Sequence, residues 1–333
     1  MARSIDLSSG IIVDPDGGRA FVMAPDGGVT AIAIESGEAA WHSDAAEKPL
    51  LLSDGLLLSQ AAAASQAGEV RIRMLNVEAA GDVASEGTVP LPASVAPMLE
   101  SQAHRGFEMT ATALDGEAVV NWEFRERPLR GMPDQPAEVL PGEFLPETSP
   151  AGGLSGAFAV ESDPARMVEQ EDTVTRGQVL LSPKTGDVRP MVEPFLEQDL
   201  PVVPQSRGLT YAAMLSSAAE AVPEDPRQFA SADGRHWMRS EPLDEADPWT
   251  TFRWTVHTSE TGEALGSVHL HVGFAPFVVV NSKLLVELRP YFQIEDGEEV
   301  SEPQQLRCYD IASGERLWSQ PLRDIYAVPE PPP

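Results

Sequence analysis

Residues 306–318 read Leu-Arg-Cys-Tyr-Asp-Ile-Ala-Ser-Gly-Glu-Arg-Leu-Trp, and residues 29–41 read Val-Thr-Ala-Ile-Ala-Ile-Glu-Ser-Gly-Glu-Ala-Ala-Trp. Each is an alternating apolar strand, a tight turn at Ser-Gly-Glu, and a second strand whose tryptophan stands four residues past the glycine. Gly37 and Gly314 sit where a short hairpin turn needs positive φ. A tryptophan at a fixed offset lets each hairpin bury a large apolar surface against its neighbour. Two copies of one design near opposite ends of a chain indicate an internal repeat.

Weaker copies lie between them. Val77-Glu-Ala-Ala-Gly-Asp-Val83 follows the strand Val70–Leu75, and Val179–Val188 and Trp254–Leu265 have the same outline. Residues 157–162, Ala-Phe-Ala-Val-Glu-Ser, echo residues 31–36 without the glycine and count as one unit with the copy that follows. The turn glycines at 37, 81, 186, 262 and 314 are separated by 44, 105, 76 and 52 residues, and the two chain ends together supply 56 more. Periods of about 40–50 residues are those of four-stranded propeller blades. The expected fold is therefore all-β: a β-propeller of four-stranded antiparallel blades, closed by strands from both termini that complete one shared blade. Five units are countable, and six or seven blades fit the long intervals as well.

An inner-strand pattern recurs too. Residues 48–58 are two short apolar runs joined by Ser-Asp-Gly, and residues 275–286 repeat the arrangement around Asn-Ser-Lys. Apolar strands bounded by turn residues suit positions covered on both faces, as inner propeller strands are.

These residues resemble the quinoprotein-type (PQQ-like) propeller repeat, whose outer hairpin runs alternating strand, Asp, Thr/Ser-Gly-Glu/Lys, apolar residue, Trp. Asp310, Ser313, Gly314, Glu315 and Trp318 match it, and residues 29–41 match with Glu35 in place of the aspartate. At the tryptophan offset the middle units carry Ser85, Pro190 and Gly266. The resemblance implies one enzyme option, a pyrroloquinoline-quinone dehydrogenase with a calcium-held quinone, a stacking tryptophan, an aspartate base and often adjacent cysteines. Cys308 is the one cysteine here, the chain is far shorter than those enzymes, and no carboxylate or amide set matches their calcium ligands. No catalytic, cofactor-binding or metal-binding residue is carried over.

The domain expected is a single propeller over residues 1–326. Proline, glycine and charge predict loop excursions at about 125–155 and 217–250, the second with Trp237 and Trp249. A proline-rich tail follows at 327–333.

The chain's 52 acidic and 23 basic residues give a net charge of −29. Such a surface repels nucleic-acid phosphates and anionic lipid, which argues against both as ligands. Solubility accounts for the charge, and a basic partner protein or adaptation to high salt are the sharper readings. Three lysines against 20 arginines fit salt adaptation and a GC-rich genome equally. One cysteine excludes an intramolecular disulfide. Residues 1–10 lack a signal-peptide apolar stretch, and no apolar run of about 18 residues occurs. If Met1 is the natural start the expectation is cytoplasmic; if a leader was removed, periplasmic or secreted.

Chemistry is thinly marked. His257, His269 and His271 are the one approach to a metal constellation, with His269 and His271 on one strand face, yet no third ligand follows at useful spacing. Asp14-Pro-Asp-Gly-Gly18 and Pro25-Asp-Gly-Gly28 offer oxygens to calcium but have the composition of hairpin turns. Phosphate-binding and nucleophile-elbow motifs are absent from the sequence, and Arg323-Asp324 forms no motif. The leading expectation is a non-catalytic propeller that binds another protein or serves as a scaffold. The alternatives are a glycoside hydrolase on a five-bladed propeller using channel carboxylates, and a metal or small-ligand sensor using the histidine strand.

Overall fold

The computed structural model describes residues 4–61, 68–95, 107–126, 173–191, 227–244, 251–295 and 298–323. Among these residues the chain forms five antiparallel sheets, each from a contiguous run of strands, with a two-stranded ribbon inserted in the last. These are the blades of a β-propeller. Blade 1 contains β1 (Ile5–Ser8), β2 (Ile11–Asp14), β3 (Arg19–Met23), β4 (Val29–Ala33) and β5 (Ala39–Ser43). Blade 2 contains β6 (Lys48–Ser53), β7 (Leu56–Gln60), β8 (Glu69–Asn76) and β9 (Asp82–Pro90). Blade 3 contains β10 (Phe107–Leu114), β11 (Glu117–Glu126), β12 (Thr173–Leu181) and β13 (Val188–Pro190). Blade 4 contains β14 (Gln228–Ala230), β15 (His236–Pro242), β16 (Phe252–Thr258) and β17 (Ala264–Leu270). Blade 5 contains β18 (Phe277–Val280), β19 (Lys283–Leu288), β22 (Gln305–Asp310) and β23 (Arg316–Pro321). The ribbon of β20 (Tyr291–Glu295) and β21 (Glu298–Glu302) lies between β19 and β22 in sequence.

The five outer turns share a backbone conformation. Gly37, Gly81, Gly186, Gly262 and Gly314 all have φ between 71° and 81°, the left-handed region that costs a side chain and not glycine. In four of them the glycine N–H donates to the carbonyl four residues back, as Gly37 does to Ala33 and Gly314 to Asp310. Blade 2 has one more residue in its turn, so Gly81 reaches Asn76 and Ala80 is also left-handed. The preceding Ser or Thr hydroxyl accepts the N–H after the glycine at Ser36, Thr185, Thr261 and Ser313. That bond is the physical content of the Ser/Thr-Gly-acid signature.

The inner hairpins turn in two residues, with both at positive φ in Asp54-Gly55, Asp115-Gly116 and Asn281-Ser282, as two-residue loops between twisted strands require. Asp14 accepts the Gly17 N–H at 3.0 Å within the β2–β3 turn, so Asp14-Pro-Asp-Gly-Gly18 is a hairpin turn. β6 and β19 are buried along their length, as expected of inner strands.

Apolar clusters join the blades pairwise. Phe21 and Ile12 of blade 1 meet Leu52, Leu57 and Leu75 of blade 2; Ile72 and Met74 of blade 2 meet Trp122 and Phe124 of blade 3. Trp254 of blade 4 meets Phe277 and Val286 of blade 5, and Leu306, Cys308 and Trp318 of blade 5 meet Leu7, Val13 and Ile34 of blade 1. The termini therefore do close the array, but not through one shared sheet. β1 adds a fifth strand to blade 1, β23 completes blade 5, and the two blades pack face to face. Trp318 Nε1 donates to Ile34 O at 2.9 Å and Gln320 Nε2 to Gly37 O at 2.7 Å across that seam. Among the described residues no cluster joins blade 3 to blade 4, and residues 192–226 between them lie outside that set.

The second loop excursion, placed at about 217–250, needs correction. β14 and β15 run through it, and Trp237 is a strand residue paired with His257. Only Met238 and Ser240 of β15 are buried, so the segment lacks the apolar alternation that announces a strand. Of the first excursion, 125–155, Arg125 and Glu126 end β11 and the remainder lies outside the described residues, as do the echo at 157–162, Trp249 and the tail at 327–333.

Candidate functional site

Four seams between blades carry a contact at the outer edge from the residue at the tryptophan offset of one blade to the outer turn of the next. In two of them a tryptophan meets the turn glycine itself. A Cβ on Gly37 would strike the Trp318 ring, and one on Gly81 would lie 2.7 Å from Trp41 Cε3. At two seams where the tryptophan is missing, the backbones come closer instead. Ser85 Oγ donates to Pro183 O at 2.9 Å, and Gly266 lies directly against Ile311 O, with no room for a side chain. Ser85 and Gly266 thus do the work of the tryptophans by other means, and their residue types alone do not reveal it. Around Gly262 no heavy atom lies within 4 Å of where a Cβ would be.

The inner strands carry carboxylates, the residue type a glycosidase uses. Lys48 lies in the fields of Glu108 from blade 3 and Asp6 from blade 1; burial holds its pKa below the ordinary lysine value against their opposing pull. Glu287 is 6% exposed, and its Oε1 accepts from Gln304 Nε2 at 2.5 Å. Burial raises the Glu287 pKa, opposed by that hydrogen bond and by Arg289. The Ser8 hydroxyl beside it is outside hydrogen-bond geometry. Glu287 is engaged by the Gln304 amide, and Glu108 and Asp6 act on the Lys48 charge. The glycoside-hydrolase alternative is not favoured.

The three histidines go to separate places. His257 stacks on Trp237 at 3.9 Å between centroids, with its Nδ1 3.1 Å from Gly262 O. His269 is exposed on β17 opposite Arg253. His271 lies past the end of β17, stacked on Tyr291 at 3.7 Å. Sharing a strand face is not sharing a site. Among the described residues no three of His, Cys, Asp and Glu are grouped to hold a metal ion. Burial pushes the Cys308 thiol up to about 12, so it behaves as an inert apolar side chain.

Two features stand out as places for recognition. The first is the β20–β21 ribbon, whose base is fixed by buried polar groups. Arg307 pairs with Glu302 at the end of β21, Gln305 Nε2 donates to the same carboxylate at 2.8 Å, and Arg307 Nε donates to Gln305 Oε1 at 3.0 Å. Tyr291, at the start of β20, is held against His271. Burial and then the Arg307 charge lower the His271 pKa, with Glu302 opposing; burial and then Glu302 raise that of Tyr291. The second is a cleft of about 430 Å³ between the turns of blades 4 and 5, lined by residues that include Arg235, His236, Asn281 and Ala312.

No protein-family model matches the chain, and no curated protein matches it. Solved structures do. BamB from Moraxella catarrhalis is 10% identical, with 92% of this chain and 62% of that chain covered and a TM-score of 0.21. The Cps50 (Swd1) propeller domain of Myceliophteria thermophila is 11% identical over 93% of this chain and 85% of that chain, with a TM-score of 0.27. A quinohemoprotein alcohol dehydrogenase from Pseudomonas putida HK5 is 10% identical, covering 94% and 60%, with a TM-score of 0.22. The chain thus spans less than two thirds of the length of BamB and of the dehydrogenase. Identities this low bear on the fold alone, and superpositions this loose add nothing to it. The propeller assignment stands on the sheets and seams described above.

Proposed function

We propose that this chain is a non-catalytic propeller that serves as a protein-interaction or scaffold module, with a basic protein surface as its partner. The observation that carries this reading is the β20–β21 ribbon, added to a blade that is complete without it and mounted through Glu302, Arg307, Gln305 and the His271–Tyr291 stack. Insertions held on a rigid scaffold are where recognition concentrates. The net charge of −29 supports a basic partner through steering. The test is a variant in which residues 290–303 are replaced by a two-residue Asn-Gly turn joining β19 to β22. It should keep the far-UV spectrum and cooperative melt of the parent and lose a salt-sensitive partner that the full chain recovers. Equal recovery of that partner by both proteins would count against the ribbon as the recognition element.

A further inference from the structure

At two seams, a cation on the inner hairpin of one blade reaches a carboxylate in the outer turn of the next. Arg19, opening β3 of blade 1, pairs with Glu78 of blade 2 at 3.0 Å, and Lys283, opening β19 of blade 5, pairs with Glu35 of blade 1 at 2.5 Å. Blade 4 has Arg235 at the corresponding place, immediately before β15, and it shares a cleft with the outer turn of blade 5. Glu35 stands two residues before Gly37; two residues before Gly314 stands Ala312. The cation of the motif is present and its carboxylate is missing. Among the described residues the Arg235 guanidinium makes no ion pair.

The seam has a cleft of about 430 Å³ at this place, and both Arg235 and Ala312 line it. Leu265, Val279 and Ile311 supply apolar wall. His236 also lines it, with its side chain 17% exposed and its Nδ1 buried without a hydrogen-bond partner, 4.0 Å from Asp233 Oδ1. The Asp233 carboxylate is already engaged by the Ser231 hydroxyl at 2.6 Å and the Arg235 N–H at 3.1 Å. A small, mainly apolar cleft whose lining includes one unpaired guanidinium selects a single negative charge on a hydrocarbon body. The planar guanidinium fork matches a carboxylate in two parallel hydrogen bonds.

We propose that the cleft between blades 4 and 5 binds an aliphatic carboxylate. The carboxylate meets Arg235 as Glu35 meets Lys283 one seam further on, and the hydrocarbon lies against Leu265, Val279 and Ile311. The ligand is a free branched-chain acid or the C-terminus of a peptide ending in an aliphatic residue. This site is independent of the ribbon and of the scaffold reading.

The test is a titration of the full ¹⁵N-labelled chain at low ionic strength, followed by amide shifts. Three probes are used: 4-methylpentanoate, acetyl-leucyl-leucine with a free carboxylate, and acetyl-leucyl-leucinamide. Saturable shifts confined to Arg235, His236, Ser282, Ala312 and their neighbours are expected from a carboxylate probe and not from the amide. Binding of both acids assigns a small-acid site and binding of the dipeptide acid alone a chain terminus; either supports the carboxylate assignment. Arg235→Gln should weaken binding by about tenfold or more. Ala312→Glu should abolish it by restoring the cross-blade ion pair, and because Ala312 is exposed the fold should tolerate the change, shown by an unchanged melt. Equal binding of the amide, absence of saturable shifts, or full binding by Ala312→Glu would overturn the proposal.

Discussion

Gly37 carries two constraints where Gly262 carries one. Both are left-handed, with φ of 75° and 71°, but only Gly37 has a neighbour, Trp318, in the space a Cβ would take. Gly262→Ala should cost about 1 kcal/mol from the backbone alone. Gly37→Ala should cost about 2–4 kcal/mol, since overpacking against a buried ring adds to the strain. Chemical denaturation of the two variants measures the difference, and equal losses would show that the Trp318 contact is not tight. Glu287 gives a second single-residue test. Its pKa is raised in the folded state, so the native chain holds the proton more firmly than the unfolded one. Stability from this group is lost as pH rises from the ordinary glutamate range through the folded pKa. Glu287→Gln keeps an oxygen for the Gln304 amide and removes the charge. It should raise the melting temperature at pH 7.5, with the advantage disappearing below about pH 4.

At the scale of elements, the hairpins were legible wherever a special backbone conformation demanded a particular residue. Asp54-Gly55, Gly37 and Gly314 announce their turns because few residues adopt positive φ. β14 and β15 were not legible, because Trp237, Arg239 and Glu241 stay partly or fully exposed and leave only Met238 and Ser240 of β15 buried. The ribbon is equally hard to read, because its strands, Tyr-Phe-Gln-Ile-Glu and Glu-Glu-Val-Ser-Glu, are short and lack a continuous apolar run, and its base is fixed by residues from β22 and the β17–β18 connection. That base should be sensitive to acid. The His271 pKa is lowered in the folded state, so its contribution to stability is present above the ordinary histidine range and lost as pH falls through about 6.5 and below. Hydrogen exchange at the amides of Tyr291 and Glu302 should therefore accelerate, after correction for intrinsic rates, between pH 7.5 and 5.5. His271→Gln should remove that dependence, and its persistence would assign the effect to other groups.

Across the whole molecule, closure of the array couples the two ends of the chain. Trp318 is buried against blade 1 and donates to Ile34 O. Trp318→Ala should cost about 3–5 kcal/mol and accelerate exchange in β4 and β5, in blade 1, as much as in β22 and β23. Protection lost from blade 5 alone would mean the seam adds little to the ring. The net charge acts at this scale too. Self-repulsion from a charge of −29 falls as salt shortens the screening length. The melting temperature should accordingly rise between about 20 mM and 500 mM sodium chloride, and a flat response would show that local pairs dominate.

The repeat, the outer and inner turns and the aromatic anchors are properties of the sequence by itself, because each is a local demand: positive φ favours glycine, aspartate or asparagine, and a buried strand favours an apolar run. The division of labour among the seams belongs to the tertiary structure. Only packing shows Ser85 and Gly266 standing in for tryptophan, separates His257, His269 and His271, and leaves Arg235 facing Ala312 where the next seam has Lys283 facing Glu35. Those relations join residues far apart in the chain, and no local preference encodes which blade lies beside which.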